Sequence, residues 1–309
     1  MFDQRCKVPT NYAFKTFMIL ICAAAATFAQ FDKAEARELD TATLQASDQV
    51  PVNDNRIAEL WSALPALDNS QGIRVRRDCT ASYLGENFWL TAHHCISNSP
   101  LMDGFLRQSD GEVAGIAAIY TKSSTDDVAL IKVGPGIDAD PFDLANTQLA
   151  IGEKATLTGY GQPHDYASSA TTIIREQVPS LDFGNVIYTD LFKGMSAALS
   201  RSCSGDSGAP IYVGNTLYAV HTAGGFNPGC TDGHDMPMWH TNIVSRKSWV
   251  STTRRLNSQF SDMEKEKAAV GLRYSAGLFP SAPGLVRPSE NNYPAVKSSS
   301  FQQSSTKLF

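Results

Sequence analysis

Cys203-Ser204-Gly205-Asp206-Ser207-Gly208-Ala209-Pro210 sets a serine between two glycines. Glycine reaches backbone conformations closed to other residues, so this stretch predicts a tight turn that leaves the Ser207 hydroxyl exposed. Such a turn can also aim the backbone N–H groups of Gly205 and Ser207 into one small space, as an oxyanion hole requires. A serine nucleophile needs a base, and the base needs an orienting acid.

Two stretches upstream offer those partners. Leu90-Thr91-Ala92-His93-His94-Cys95 follows an apolar run and ends on a cysteine. Thr125-Asp126-Asp127-Val128-Ala129-Leu130-Ile131 puts a carboxylate at the mouth of an apolar strand, where burial could orient an imidazole. The order along the chain is His, Asp, Ser. An esterase built on a nucleophile elbow runs Ser, Asp, His instead, which argues against that class.

Around these stretches, roughly from residue 57 to 258, short β-rich runs alternate with turn residues. Examples are Phe88–Thr91, Val128–Ile131, Ala155–Thr158 and Thr216–Val220. Many short strands and few helices predict a sandwich or barrel. One helical pattern stands out near Val244–Leu256. The chain has 309 residues, 42% apolar and 18% charged, enough for a sizeable core. With 26 Lys+Arg against 31 Asp+Glu the net charge is −5, which argues against nucleic acid as a partner.

The N-terminus carries Arg5, Lys7 and Lys15, then the apolar run Phe17–Phe28. That run is too short to span a bilayer. Together they read as a secretory signal peptide within residues 1–36, cleaved after Ala29 or Ala36. Without it four of the six cysteines remain, Cys79, Cys95, Cys203 and Cys230. An even number in an exported chain favours two disulfides, and the spacings suggest Cys79–Cys95 and Cys203–Cys230. No Cys-x-x-Cys or His-x₃-His pattern supports a metal site. Residues 37–56 read as a leader or propeptide. Residues 259–309, with the charged run Asp262–Lys267 and a Ser/Gln-rich end, read as a low-complexity, disordered tail.

The three motifs together resemble the chymotrypsin/trypsin-like serine endopeptidases over residues 57–258. The likeness gives His94 the base role, Asp127 the orienting role and Ser207 the nucleophile; His93 falls where the family has a small residue. Gly159-Tyr160-Gly161 resembles the family's Gly-Trp-Gly turn, and Cys79 and Cys95 are spaced as its histidine-loop disulfide. The implied fold is all-β, with two six-stranded antiparallel β-barrels and a short C-terminal helix. The implied activity is peptide-bond hydrolysis by a secreted monomer acting on protein or peptide substrates, without cofactor or metal. The rival reading is a catalytically silent binding protein on the same fold.

The resemblance also bears on specificity. Arg201 falls at the base of the primary pocket, where trypsin-like members carry Asp, so specificity for Lys or Arg is not expected. Ser204, His221 and His240 are similar to residues of glutamyl endopeptidases, with Thr222 and Gly224 on the pocket wall. An acidic side chain would meet a hydroxyl, an imidazole and a guanidinium there, and charge-assisted hydrogen bonds are the strong kind. A small or apolar preference is the competing expectation. Finally, cleavage at Arg56-Ile57 would create an Ile amine that, as in the family's zymogens, could pair with Asp206.

Overall fold

The computed structural model describes residues 51–65, 73–97, 104–162, 164–197, 202–224 and 236–279. All fall in the unit Gln49–Phe309; the other unit, Met1–Asp48, lies outside the described residues. So do the expected signal peptide, Arg201, Cys230 and residues 280–309.

Six strands form the first barrel: β1 (Ile57–Pro65), β2 (Ile73–Gly85), β3 (Phe88–Thr91), β4 (Phe105–Arg107), β5 (Val113–Thr121) and β6 (Ala129–Val133). They close antiparallel in the order β1-β2-β3-β6-β5-β4. Glu86 and Asn87 both have positive φ, 55° and 65°, in the two-residue hairpin that turns β2 into β3. A short helix, α1 (His94–Ser97), follows β3. Leu60, Leu90, Leu106, Ile116 and Leu130 fill the interior. Each large apolar side chain removed from water in this way contributes roughly 1.5–3 kcal/mol.

The second barrel follows β7 (Asp143–Leu144), which lies parallel to one of its strands. Its ring is β8 (Lys154–Gly159), β9 (Ser168–Asp182), β10 (Ile187–Ser196), β13 (Pro237–Asn242), β12 (Thr216–Gly224) and β11 (Pro210–Val213). Pairing of β11 with both β8 and β12 closes it. The first seven side chains of β9 alternate between buried and half-buried, the period of a strand with one face on a core. Leu157, Ile174, Phe192, Ile211 and Met238 form that core. The expected pair of six-stranded antiparallel barrels is therefore the observed fold. The expected helix is also present, as a 3₁₀ turn at Val244–Arg246 running into α2 (Lys247–Leu256).

Residues 51–56, part of the expected leader or propeptide, pack against β9 and the residue before it: Pro51 bridges to Ser168, and Val52 N donates to Ala167 O at 2.8 Å. One boundary expectation needs correction: residues 262–278 are not disordered. They form α3 (Asp262–Leu278), opened by a capping box in which the Ser261 and Glu264 side chains each satisfy the other's backbone N–H. Its buried residues Ala268, Gly271, Leu272 and Ser275 recur at helical spacing. Leu272 packs with Phe105 and Val113, and the helix lies so close that a Cβ on Gly115 would collide with the Ala268 backbone and one on Gly271 with Gly104 O. Lys132, fully buried in β6, donates to Gln259 O and Glu264 Oε1 and lies 4.0 Å from the Phe260 ring centroid.

Candidate active site

Each of the three sequence motifs becomes a backbone device. The Cys79–Cys95 disulfide forms as expected and ties α1 to β2. It fixes His94 at the start of that helix. Asp127 sits in the turn between β5 and β6 and is fully buried. One of its oxygens accepts the His94 backbone N–H at 2.9 Å, and the two lie 3.0 and 2.9 Å from His94 Nδ1. The carboxylate thus grips both the backbone and the ring of one residue. With Nδ1 engaged, the ring turns its other nitrogen away from Asp127.

The serine turn belongs to the second barrel. Gly205 and Gly208 have φ of 107° and 85°, and a Cβ on either would collide with neighbouring backbone. Both glycines are therefore required by the turn, as the sequence implied. The turn is pinned to the first barrel through one residue. Thr80 N donates to Ser207 O at 2.8 Å, Thr80 Oγ1 donates to Gly205 O at 2.9 Å, and Tyr160 N donates to Thr80 Oγ1 at 3.0 Å. His94, Ser204, Gly205 and Ser207 all line one cavity of about 420 Å³. Its lining also includes Arg76, Asp78 and Gln162, which the sequence reading did not anticipate.

Asp206 points the other way. It is fully enclosed, its carboxylate accepting from Gly161 N at 2.8 Å and Cys203 N at 2.7 Å. Burial pushes its carboxyl up to about 6, against the opposing pull of those two N–H groups. The expected activation contact needs a cut Arg56-Ile57 bond, and in the uncut chain Ile57 N donates to Asp54 O at 3.3 Å. Ile57 lies fully buried in β1, paired with Ser82, and the Arg56 carbonyl accepts from Tyr83 N at 2.8 Å. The Arg56 side chain is ion-paired to Asp54 at 2.7 Å and stacks 4.3 Å from the Phe142 ring centroid. The Arg56-Ile57 bond thus lies at the start of the strand ladder.

The pocket residues are partly gathered. His221 and His240 are both buried, with their Nδ1 atoms 3.2 Å apart, and His240 Nε2 lies 3.3 Å from Thr172 Oγ1. Burial holds the His221 imidazole well below the usual histidine range, with the neighbouring His240 and His94 adding to the effect. Burial alone takes His240 down to about 3. Both rings are neutral at pH 7. Thr222 and Thr241 pair through their hydroxyls at 2.8 Å. Gly224 closes against Ser202, leaving no room for a side chain. Ser204 is exposed. Arg201 and the Cys203–Cys230 pairing lie outside the described residues.

Comparison with known proteins places this arrangement. The family model described as Trypsin matches residues 60–250. Trypsin eta of Drosophila melanogaster is 26% identical over 192 residues, 53% of this chain and 72% of that protein. Brachyurin of Leptuca pugilator is 23% identical over 198 residues, 56% of this chain and 86% of that one. Among solved structures, kallikrein-related peptidase 10 superposes with a TM-score of 0.50 at 18% identity, covering 66% of this chain and 97% of its own. At that identity the likeness speaks for the fold alone.

Proposed function

The chain belongs to the trypsin family of serine endopeptidases, and on that footing we propose that His94, Asp127 and Ser207 are its catalytic triad. The observation that carries this reading is the buried Asp127 carboxylate bonded to His94 Nδ1, with His94 and Ser207 facing one cavity. Ser207 Oγ attacks the scissile carbonyl carbon while His94 takes its proton. The tetrahedral oxyanion is held by the N–H groups of Gly205 and Ser207, each such donor being worth roughly 3 kcal/mol. Collapse of the intermediate expels the amine, which receives the proton from His94. Water, activated by the same base, then hydrolyses the acyl-enzyme. Asp127 fixes the imidazole tautomer and stabilises the imidazolium.

The primary pocket favours an acidic side chain. Support comes from the His221–His240–Thr172 series. Two Nδ1 atoms in contact need one N–H and one lone pair. If the Thr172 hydroxyl donates to His240 Nε2, His240 Nδ1–H donates to His221 Nδ1, and His221 Nε2 carries the remaining proton. That nitrogen makes no hydrogen bond among the described residues, so a substrate carboxylate can accept from it. Ser204 and Arg201 complete the recognition. The enzyme acts outside the cytosol, on the strength of the basic-then-apolar N-terminus. Among the described residues no helix is long and apolar enough to cross a membrane.

A peptide library cleaved by the purified protein tests the reading. Hydrolysis after Glu or Asp is expected, abolished in Ser207→Ala and reduced about 10⁴-fold in Asp127→Asn. Cleavage after other residues discards the pocket reading. Full activity in Ser207→Ala discards the triad, and no cleavage by the wild type points to the silent binding protein.

A further inference from the structure

The turn that carries Asp127 is held from outside its own barrel. Asp126, the residue before it, is buried. Its carboxylate accepts from Lys122 Nζ at 2.7 Å, Ser123 Oγ at 2.6 Å and Arg246 Nε at 2.6 Å. Arg246 is itself buried, at the end of the 3₁₀ turn that follows β13. Its Nη1 donates to Asn242 O at 2.6 Å and to Asp190 Oδ2 at 3.1 Å, and its Nη2 to Thr189 O at 2.8 Å. Thr189 N in turn donates to Thr125 O at 3.0 Å. One guanidinium therefore joins the Asp126–Asp127 turn of the first barrel to β10 and β13 of the second.

Stability alone is a weak explanation for such a cluster. Desolvation offsets much of the attraction in a buried ion pair, and apolar replacements are often no less stable. What arginine adds is geometry, because its planar fork fixes several acceptors at once. Asp190 shows how tightly that geometry is set. It sits at φ +53°, a conformation uncommon for a residue with a side chain, while its carboxylate also accepts from Asn242 Nδ2 and Ser245 Oγ. Such strain persists where the surroundings over-determine it, most often at functional sites.

We propose that Arg246 is a positioning residue for catalysis. Acting through Asp126, it fixes the turn on which Asp127 stands, and so the orientation in which Asp127 holds His94. The proposal rests on the reading of His94, Asp127 and Ser207 as the triad. Asp127 must keep its bonds to the His94 backbone and ring in register together. A slip of about 1 Å in catalytic geometry can cost on the order of 100-fold in rate.

The test compares kcat, KM and melting temperature for wild type, Arg246→Gln, Arg246→Lys, Asp126→Ala and the Arg246→Gln/Asp126→Ala double variant. Proton NMR follows the hydrogen between His94 Nδ1 and Asp127. In Arg246→Gln, kcat is expected to fall roughly 10- to 100-fold with KM nearly unchanged, and that resonance to move or broaden. Arg246→Lys recovers part of the rate. Asp126→Ala behaves like Arg246→Gln, and the double variant is little worse than either single one, because both act through one contact. Leu272→Ala on α3, remote from the turn, lowers the melting temperature but leaves kcat and the resonance alone. A folded Arg246→Gln with wild-type kcat and an unmoved resonance overturns the proposal. If Arg246→Gln does not fold, wild-type kcat in Asp126→Ala overturns it equally. Failure of the triad reading is distinct, because it shows in Ser207→Ala retaining activity.

Discussion

At the scale of single residues, the informative group is Asp206. A carboxylate beside the nucleophile could meet a cationic partner, but here it meets two backbone N–H groups inside a buried turn. Its pKa is raised from 3.8 to about 6 chiefly by burial. A raised carboxyl pKa means that the fold favours the protonated form. Its contribution to stability is therefore complete only well below pH 3.8 and is lost as pH rises through 6. The difference in unfolding free energy between wild type and Asp206→Asn should fall by about 2 kcal/mol from pH 4 to pH 7. Denaturant titrations at several pH values measure it, and a flat difference contradicts the account. The proposed triad was legible residue by residue because each member sits in a motif with its own backbone demand: paired glycines at Ser207, a cysteine anchor at His94, a strand mouth at Asp127. Arg246 was not legible. Its partner Asp126 lies 120 residues away, and nothing local to either marks the contact.

At the scale of elements, alternation made most strands readable, and the run Val244–Leu256 gave its helix away. Helix α3 was hidden by its own charge. The run Asp262–Lys267 looks like a solvated tail, yet Ser261 and Glu264 are a capping box, and Ala268, Gly271, Leu272 and Ser275 follow at helical spacing. Weighting the cap and that spacing above composition finds the helix. Its packing makes Leu272→Ala costly, with an expected loss of roughly 3 kcal/mol from the transfer and cavity terms together. Equilibrium unfolding reads this directly, and a loss below about 0.5 kcal/mol means that α3 does not cover the barrel. Strand β1 carries a second prediction. The Arg56-Ile57 bond is held in the ladder with Tyr83 and Ser82, and on that ground we propose that activity does not depend on cutting it. Arg56→Gln should therefore hydrolyse peptides at a rate within about two-fold of wild type, with an intact bond by mass spectrometry. An inactive but folded Arg56→Gln restores the zymogen reading.

At the scale of the whole molecule, the proposed site is shared by two barrels held together. The first supplies His94 and Asp127 and the second supplies Ser207, so neither barrel contains that site alone. Thr80 binds the serine turn to the first barrel on one side, and Arg246 binds the acid's turn to the second on the other. Strand runs pointed to a sandwich or barrel and the resemblance implied the pair of barrels, while their mutual fastening was not foreseeable: it depends on contacts that only the assembled fold creates. The most direct test of the central claim is labelling with a serine-reactive phosphonate, followed by mass spectrometry of the peptides. The account predicts one phosphonyl group per molecule, attached to Ser207 and lost in His94→Ala. Labelling at another residue, or none in a folded and soluble protein, contradicts it.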